Sequence, residues 1–475
     1  MSMTMRGLDG STVSVDAASV ASLQEQLAGR LLRPGDEDYD EARTIWNAMI
    51  DRRPGLIVEC DNAADVQHAV KFARQHRVLV AVRGAGHNIA GNAVCDGGLM
   101  ISFAKMRGVS VDAGARRARV EPGATLGDLD SATQAHGLAT PVGINSTTGV
   151  AGLTLGGGFG WLSRKYGLTI DNLLGADVVT ADGELIRASA DENQDLFWGI
   201  RGGGGNFGVV TSFDFALHPV GPEVLAGLIV HPFADASAVL RAWRDFCANA
   251  PDELSVWVVM RKAPPLPFLP EEVHGTEVVV LAAVYAGDIK AGEQALAPLR
   301  AHGKPIADVI GPTPYAGFQS AFDPLLTPGA RNYWKSHDFR TLTDEALDTL
   351  SGYIATLPSP HCEVFLGQMG GATNRVAADA TAYPHRDVEF IMNVHGRWED
   401  ASDDDRCIAW CREMFDAAAP FATGGVYVNF MTEEESSRVA GGAYAGIYDR
   451  LGRLKGRYDP DNVFRMNQNI APIAD

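Results

Sequence analysis

The chain has 475 residues, 46% hydrophobic and 21% charged, with 40 Lys and Arg against 59 Asp and Glu for a formal net charge of −19. At roughly 150 residues per domain, that length predicts two to three structural units, and the ordinary apolar content excludes a disordered or fibrous protein. So negative a surface repels phosphate backbones and anionic lipid, which argues against nucleic-acid and membrane partners. No apolar run approaches the ~20 residues a membrane span needs. The opening MSMTMRGLDG has neither a basic nor an apolar signal region, so a cytoplasmic protein is expected. The six cysteines (Cys60, Cys95, Cys247, Cys362, Cys407, Cys411) are too scattered for a disulfide scaffold. Cys407 and Cys411 lack a second pair to complete a zinc site, so no metal is expected.

In chain order, residues 63–76 carry Ala, Val and Phe at helical spacing and predict a helix. It feeds a buried strand at Val78–Val82, which runs into Arg83-Gly84-Ala85-Gly86-His87-Asn88. From there to about residue 212 the chain reads as short β-type segments cut by glycine turns, with Asp182-Gly183 as a hairpin signal. Beyond residue 220, helical patterns at 234–249, 343–358 and 407–419 alternate with β-rich runs at Ser255–Val259, Glu277–Tyr285 and Glu389–Val394. Ala263–Pro270 reads as a loop and Asp400–Asp405 as an acidic turn. The helix Gly442–Tyr458 is stopped by Asp459-Pro460-Asp461-Asn462. The pattern predicts an α+β chain: a glycine-rich ligand-binding part, then a sheet-and-helix part.

Three glycine clusters stand out, at Arg83–Asn88, Gly143–Gly160 and Arg201–Gly208. Successive backbone N–H groups in such turns form anion-binding nests. No G-x-G-x-x-G opens a helix in a βαβ unit, and no G-x-x-x-x-G-K-[ST] is present. Together the clusters predict a large phosphate-bearing cofactor held outside a Rossmann fold.

These segments carry a resemblance. VLVAVRGAGHNIAG, TPVGINSTTGVAGLTLGGGFGWLSRKYGLTIDNLLGADVVTADGE and DLFWGIRGGGGNFGVVTSF, with Ala380–Arg386, Tyr427-Val428-Asn429 and RYDPDNVFRMNQNIAP, together span nearly the whole chain. It resembles the FAD-linked oxidases of the berberine bridge enzyme type, in the vanillyl-alcohol oxidase and p-cresol methylhydroxylase (PCMH) superfamily. The resemblance implies a two-domain, PCMH-type α+β fold. Residues 1–220 would form the FAD-binding domain and 221–424 a substrate domain, an antiparallel sheet backed by helices. Residues 425–475 would return to the FAD domain. It implies FAD contacts from Arg83, Gly84, Ala85, Gly86, His87 and Asn88 in the first motif. From the second come Gly143, Asn145, Ser146, Thr147, Gly149, Gly152, Leu153, Gly157 and Gly160. Gly208 and Val209 follow the third, and Tyr427, Asn429, Asn467 and Asn469 belong to the C-terminal motifs.

By the same resemblance, His87 carries the flavin covalently. A flavin 8α-methyl group that has lost a proton is electrophilic, and a neutral imidazole adds to it. Where many relatives have a second tethering cysteine, this chain has Asn145, so a single attachment is implied. Leu153 and Phe159 replace polar residues of relatives, and Met369 replaces a tyrosine. Strand alternation puts Ile391, Asn393 and His395 on one face, with Asn393 and His395 as candidate substrate contacts. Tyr427 is the implied proton-handling group, and a phenol with a pKa near 10 needs a nearby cation or a hydrogen-bond network for that task. Thr148 occupies the position that governs oxygen access in relatives, and its valine-like shape implies an open route.

The activity implied is an oxidase that transfers hydride from a small alcohol, phenol or amine-like substrate to FAD, with O2 reduced to H2O2. A dehydrogenase with another acceptor, a saccharide oxidase and a flavin carrier without turnover are the alternatives.

Overall fold

The computed structural model describes residues 2–474. In the first part, β1 (Arg30–Leu32), β2 (Leu56–Glu59), β3 (Val80–Arg83) and β4 (Leu99–Ser102) form a sheet in the order β1-β2-β4-β3. β4 pairs in parallel with both neighbours, so the crossover to β3 needs a helix, and α1 (Ala63–His76) supplies it. The Asn62 side chain caps α1 by accepting from the N–H groups of Ala64 and Asp65 at 2.8 and 3.2 Å. The largely apolar strands β2 and β4 are buried along their whole length, with α1 supplying Val66, Ala69 and Val70 to their core.

A second, antiparallel sheet follows, built from β5 (Val109–Asp112), β6 (Arg117–Val120), β7 (Leu173–Val179), β8 (Leu185–Ser189) and β9 (Val209–Ala216) in the order β8-β7-β9-β6-β5. The expected hairpin is β7–β8, closed through Asp182-Gly183. Helices depart from the β-type reading: α2 (Leu126–Gln134) lies between β6 and β7, and shorter ones stand at Val150–Leu155, Ser163–Tyr166 and Gln194–Ile200. In α2, Gly127, Asp128, Asp130 and Ser131 resemble turn residues, but Thr125 and Asp128 form a capping box that starts the helix.

The second part is an antiparallel sheet of eight strands. Its main run comprises β10 (Glu223–Pro232), β11 (Leu254–Lys262), β12 (Glu277–Tyr285), β13 (Arg331–Phe339), β14 (Glu363–Gln368) and β15 (Phe390–Trp398) in the order β10-β12-β11-β14-β15-β13. Two short strands, Ala307–Asp308 and Gly311–Pro314, pair with β10. Helices α3 (Ala236–Cys247), α4 (Asp344–Gly352) and α5 (Asp404–Ala418) cover one face through Trp243, Leu347 and Met414, against Met392 and Val394 of β15. The helix expected over 343–358 ends at Gly352, and one tighter turn, Ile354–Thr356, continues it. The opposite face carries Trp257 and Ile391 and packs on Phe159, Trp161 and Tyr427 of the first part and the C-terminal region. This is the two-part α+β fold that the resemblance implies.

Buried charge pins the parts together. Arg386 donates to both carboxylate oxygens of Asp171 at 2.8 Å each. The Arg164 guanidinium donates to the carbonyls of Leu254, Ala250 and Met369. At the C-terminal end, α6 (Tyr448–Tyr458) docks on the first part through Lys455. Its ammonium donates to the carbonyls of Asn206 and Phe464 at 2.7 and 3.0 Å and to Asp459 at 2.6 Å, all fully buried. All six cysteines are buried and unbridged. Among the described residues, no helix is long and apolar enough to cross a membrane, and no group of His, Cys, Asp and Glu is arranged to hold a metal.

Candidate active site

Strand β3 ends at Arg83, whose guanidinium turns back to the Ala42 carbonyl and anchors the loop from behind. The next five residues, Gly84 to Asn88, present N–H groups that meet no protein acceptor among the described residues. Gly86 has φ +79°, a conformation that favours glycine and aims consecutive N–H groups the same way. A Cβ on Gly149 would lie 2.9 Å from the Ala85 nitrogen, so that glycine lets two cluster backbones meet. The resulting cleft continues past Gly204–Asn206, Gly208 and Val209 to Met466–Gln468, and at its other end reaches the eight-stranded sheet.

His87 stands where loop and cleft meet. Its ring stacks on Trp46, centroids 5.0 Å apart, and Nε2 lies 3.0 Å from the Thr147 hydroxyl. That hydroxyl donates to Asn145 Oδ1 at 2.7 Å, so it accepts from Nε2–H and leaves Nδ1 with its lone pair. Burial pushes the imidazole pKa down to about 4, so the ring is neutral near pH 7.

The sheet end of the cleft is walled by rings: Trp46, Phe159, Trp257, Trp334, Phe365 and Phe430. Four polar side chains break this wall, namely Tyr427, Asn393, His395 and Glu363. The Tyr427 oxygen accepts from Gly158 N–H at 3.0 Å and from Asn429 Nδ2 at 2.8 Å. The hydrogen-bond network that a proton-handling phenol needs is therefore present, but no cation is: its ring neighbours are Phe159, Tyr383 and Phe430. Burial pushes Tyr427 up to about 12, against the two donors, so at neutral pH it is a protonated phenol rather than a resting base. Asn393 Oδ1 and the indole nitrogens of Trp257 and Trp334 are buried without partners. Such groups carry a cost until something hydrogen-bonds them.

Pairing register explains the remaining pair. Trp334, His395, Glu363 and Arg261 lie in one row across β13, β15, β14 and β11. His395 Nδ1 is 3.3 Å from Glu363 Oε1, and Arg261 donates to Glu363 Oε2 at 2.6 Å. Burial opposes ionisation of Glu363, but Arg261 and His395 hold its carboxyl down at about 2.

Most residues expected at the cofactor and substrate positions line this one cleft, including Gly84, Ala85, Asn88, Gly143, Thr148, Gly152, Leu153, Asn429 and Asn467. Six stand elsewhere. Arg83 faces away, Ser146 donates to Asp323 on the outer side, and Thr147 touches His87 from beyond the wall. Gly157 packs beneath Tyr383 and Tyr427, Gly160 packs against the Val142 carbonyl, and Asn469 lies outside the cleft lining with Oδ1 buried and unpartnered. Sequence reasoning missed Trp46, Trp257, Trp334, Phe365, Phe430 and Glu363. Each stands outside the motifs, and only long-range strand pairing could have found Glu363 beside His395. The free N–H row, the close glycine backbones and the neutral imidazole together suit a dinucleotide flavin with its pyrophosphate at the loops and its ring beside His87.

Comparison with known proteins agrees with this geometry. The FAD binding domain family matches residues 54–189, and the berberine and berberine-like family matches residues 426–471. An uncharacterized FAD-linked oxidoreductase of Bacillus subtilis, YgaK, is 31% identical over 94% of this chain and 98% of its own. The (R)-6-hydroxynicotine oxidase of Paenarthrobacter nicotinovorans is 30% identical over 94% of this chain and 97% of its own. Among solved structures, 6-hydroxy-D-nicotine oxidase from Arthrobacter nicotinovorans superposes with a TM-score of 0.85 at 29% identity, covering 94% of this chain and 98% of its own. Xylooligosaccharide oxidase from Myceliophthora thermophila superposes with a TM-score of 0.85 at 25% identity, covering 97% and 100%.

Proposed function

The chain belongs to the berberine bridge enzyme-like family of FAD-linked oxidoreductases, and on that premise we propose that it is an oxidase of a small, flat, largely apolar alcohol, phenol or amine-like molecule. In this reading FAD is attached once, through His87, and dioxygen is the final electron acceptor, leaving as hydrogen peroxide.

The observation that carries the substrate class is the ring-walled chamber with its four polar side chains. A saccharide carries hydroxyl groups around the whole edge of its ring, more than four polar side chains can pair, whereas a flat ring with one or two polar atoms leaves none unpaired. FAD supplies the two-electron acceptor when bound. Around it, Tyr427 contributes the one O–H left over for a substrate heteroatom, because its oxygen already takes two N–H donors. Asn393 and the two unpartnered indole N–H groups would fix the ring's orientation. The aromatic enclosure keeps water from competing for these bonds.

The deciding experiment screens aromatic alcohols, phenols, amines and oligosaccharides for peroxide release in air and for flavin bleaching without air. Turnover of flat aromatic compounds with peroxide supports the reading. Turnover only with an added quinone or dye would make the protein a dehydrogenase, and a response to sugars alone would overturn the substrate class.

A further inference from the structure

We propose that a segment of the second part, residues 323–332, completes the modification site at His87. It holds the Thr147 loop on one side of the imidazole and Trp46 on the other, fixing the tautomer that leaves Nδ1 free to take the flavin. The inference rests on the single attachment proposed above, and it names the positioning residues that prepare the ring for it.

An imidazole has two nitrogens that point away from each other, and the hydrogen bond made by one decides what the other offers. At His87 a chain of donors makes that choice. The Thr147 N–H donates to Asn145 Oδ1 at 3.0 Å, which identifies that atom of the amide as its oxygen. The Thr147 hydroxyl therefore donates to the same oxygen, 2.7 Å away, and has only lone pairs left for His87 Nε2 at 3.0 Å. Nε2 carries the proton. His87 lines the cleft while Thr147 stands outside its lining, so Nε2 points out of the cleft. Nδ1, which has no protein partner among the described residues, is left toward it.

Both sides of this frame are anchored in the second part. Ser146, next to Thr147, donates its N–H to Asp323 Oδ1 at 2.9 Å and its hydroxyl to Asp323 Oδ2. Asp323 opens the tight turn Asp323–Leu325, which precedes β13. On the other side, the Trp46 indole that stacks on His87 donates Nε1–H to the Leu326 carbonyl at 2.9 Å. Asn47 then pairs with Asn332: its Nδ2 donates to the Asn332 carbonyl and its Oδ1 accepts from the Asn332 N–H, both at 2.9 Å. A ring held by one stack and one hydrogen bond keeps a single orientation only while the groups that hold it are themselves locked. Attachment is thus expected to need both parts in place.

The bond changes balance. A C–H bond of the flavin 8α-methyl group breaks, its proton leaves to solvent and its electron pair stays in the flavin ring. The Nδ1 lone pair forms the new N–C bond. Nε2–H donates more strongly to Thr147 as the imidazole becomes positive, and its proton is then released. Dioxygen takes up the two electrons and two protons as hydrogen peroxide, leaving the attached flavin oxidised.

The test starts from full-length protein made in riboflavin-starved cells. It follows, in air with added FAD, the flavin that stays with the acid-precipitated chain. Thr147→Val keeps the shape and removes the acceptor, and should slow attachment roughly tenfold, the worth of one hydrogen bond, while Thr147→Ser should stay near wild type. Asp323→Ala should slow attachment comparably. Asp323→Asn, whose amide can accept from the Ser146 N–H and donate to its hydroxyl, should stay near wild type. A second readout uses FAD lacking the 8α-methyl group, which binds but has nothing to attach. Nitrogen NMR of the His87 ring in that complex should show the proton on Nε2 in wild type and a mixture of tautomers in Thr147→Val, with affinity for the analogue little changed. Attachment at the wild-type rate in Thr147→Val overturns the tautomer role, as does a wild-type ring protonated on Nδ1. The wild-type rate in Asp323→Ala, or slowed attachment matched by an equal loss of analogue affinity, overturns the role of the segment. If wild type itself keeps no flavin through acid, the attachment reading fails and this proposal falls with it, whereas the variants test the proposal alone.

Discussion

The His87 imidazole combines two properties that covalent chemistry asks of it: it is neutral, and its Nδ1 carries the lone pair because Nε2–H is committed to Thr147. Acid-precipitated protein is therefore expected to stay yellow, with a proteolytic peptide spanning His87 carrying one flavin. Flavin that passes wholly into the acid supernatant would sink this. His87→Ala should keep bound FAD through the loop N–H groups but release it on denaturation. Next to Thr147, the Thr148 backbone is pinned by Thr148 N–H to the Asn145 carbonyl at 3.1 Å and Leu126 N–H to the Thr148 carbonyl at 2.8 Å, and the residue lines the cleft. Thr148→Leu should slow reoxidation by dissolved oxygen about tenfold or more, a barrier rise of ~1.4 kcal/mol, while leaving anaerobic reduction near wild type. Stopped-flow traces with equal effects on both half-reactions would contradict that role.

Among the elements, α6 and the segment after it are held by the buried Lys455–Asp459 pair, whose carboxylate also accepts from the N–H groups of Val463 and Phe464 at 2.7 and 2.9 Å. Removing one partner of a buried pair leaves a bare charge, so Lys455→Met should destabilise the protein by about 3–5 kcal/mol in denaturant titration. The double change with Asp459→Asn should cost less than Lys455→Met alone. An insignificant effect of the single change would show that the buried ammonium, with its bonds to Asp459 and to the carbonyls of Asn206 and Phe464, does not hold the helix. The same elements show what the sequence disclosed. Alternation along β15 correctly placed Ile391, Asn393 and His395 on one face, because strand period is a local property. The glycine clusters were legible because close backbone approach restricts residue type, and His87 because it stands inside one of them. Glu363 was not, since it belongs to no motif and meets His395 only by cross-strand register. Helix α2 was hidden because its turn-like residues outvoted the Thr125–Asp128 box.

For the molecule as a whole, buried titrating groups pull stability in opposite directions with pH. His87 and His337, both held at about 4 by burial, bind protons more readily when unfolded, so stability falls as pH drops from 6.5 toward 4. Asp338 and Asp130, pushed up by burial to about 6 and about 7, do the reverse: the folded state holds their protons more tightly, so stability falls as pH rises from 3.8 through those values. Asp338 is fully buried, and neither carboxylate oxygen has a partner. Asp338→Asn is therefore expected to raise the melting temperature at pH 8 and to leave it nearly unchanged at pH 4. A gain of the same size at both pH values would show that shape, not charge, is responsible.

The knot around Lys455 also bears on how the protein is made. Tyr427, Asn429 and Asn467 wall the cleft, yet they are translated after the glycine loops and after the whole eight-stranded sheet. Without them the cleft would be an open trough. Flavin capture is therefore expected to wait for these residues, and a truncated product ending before residue 425 should emerge colourless.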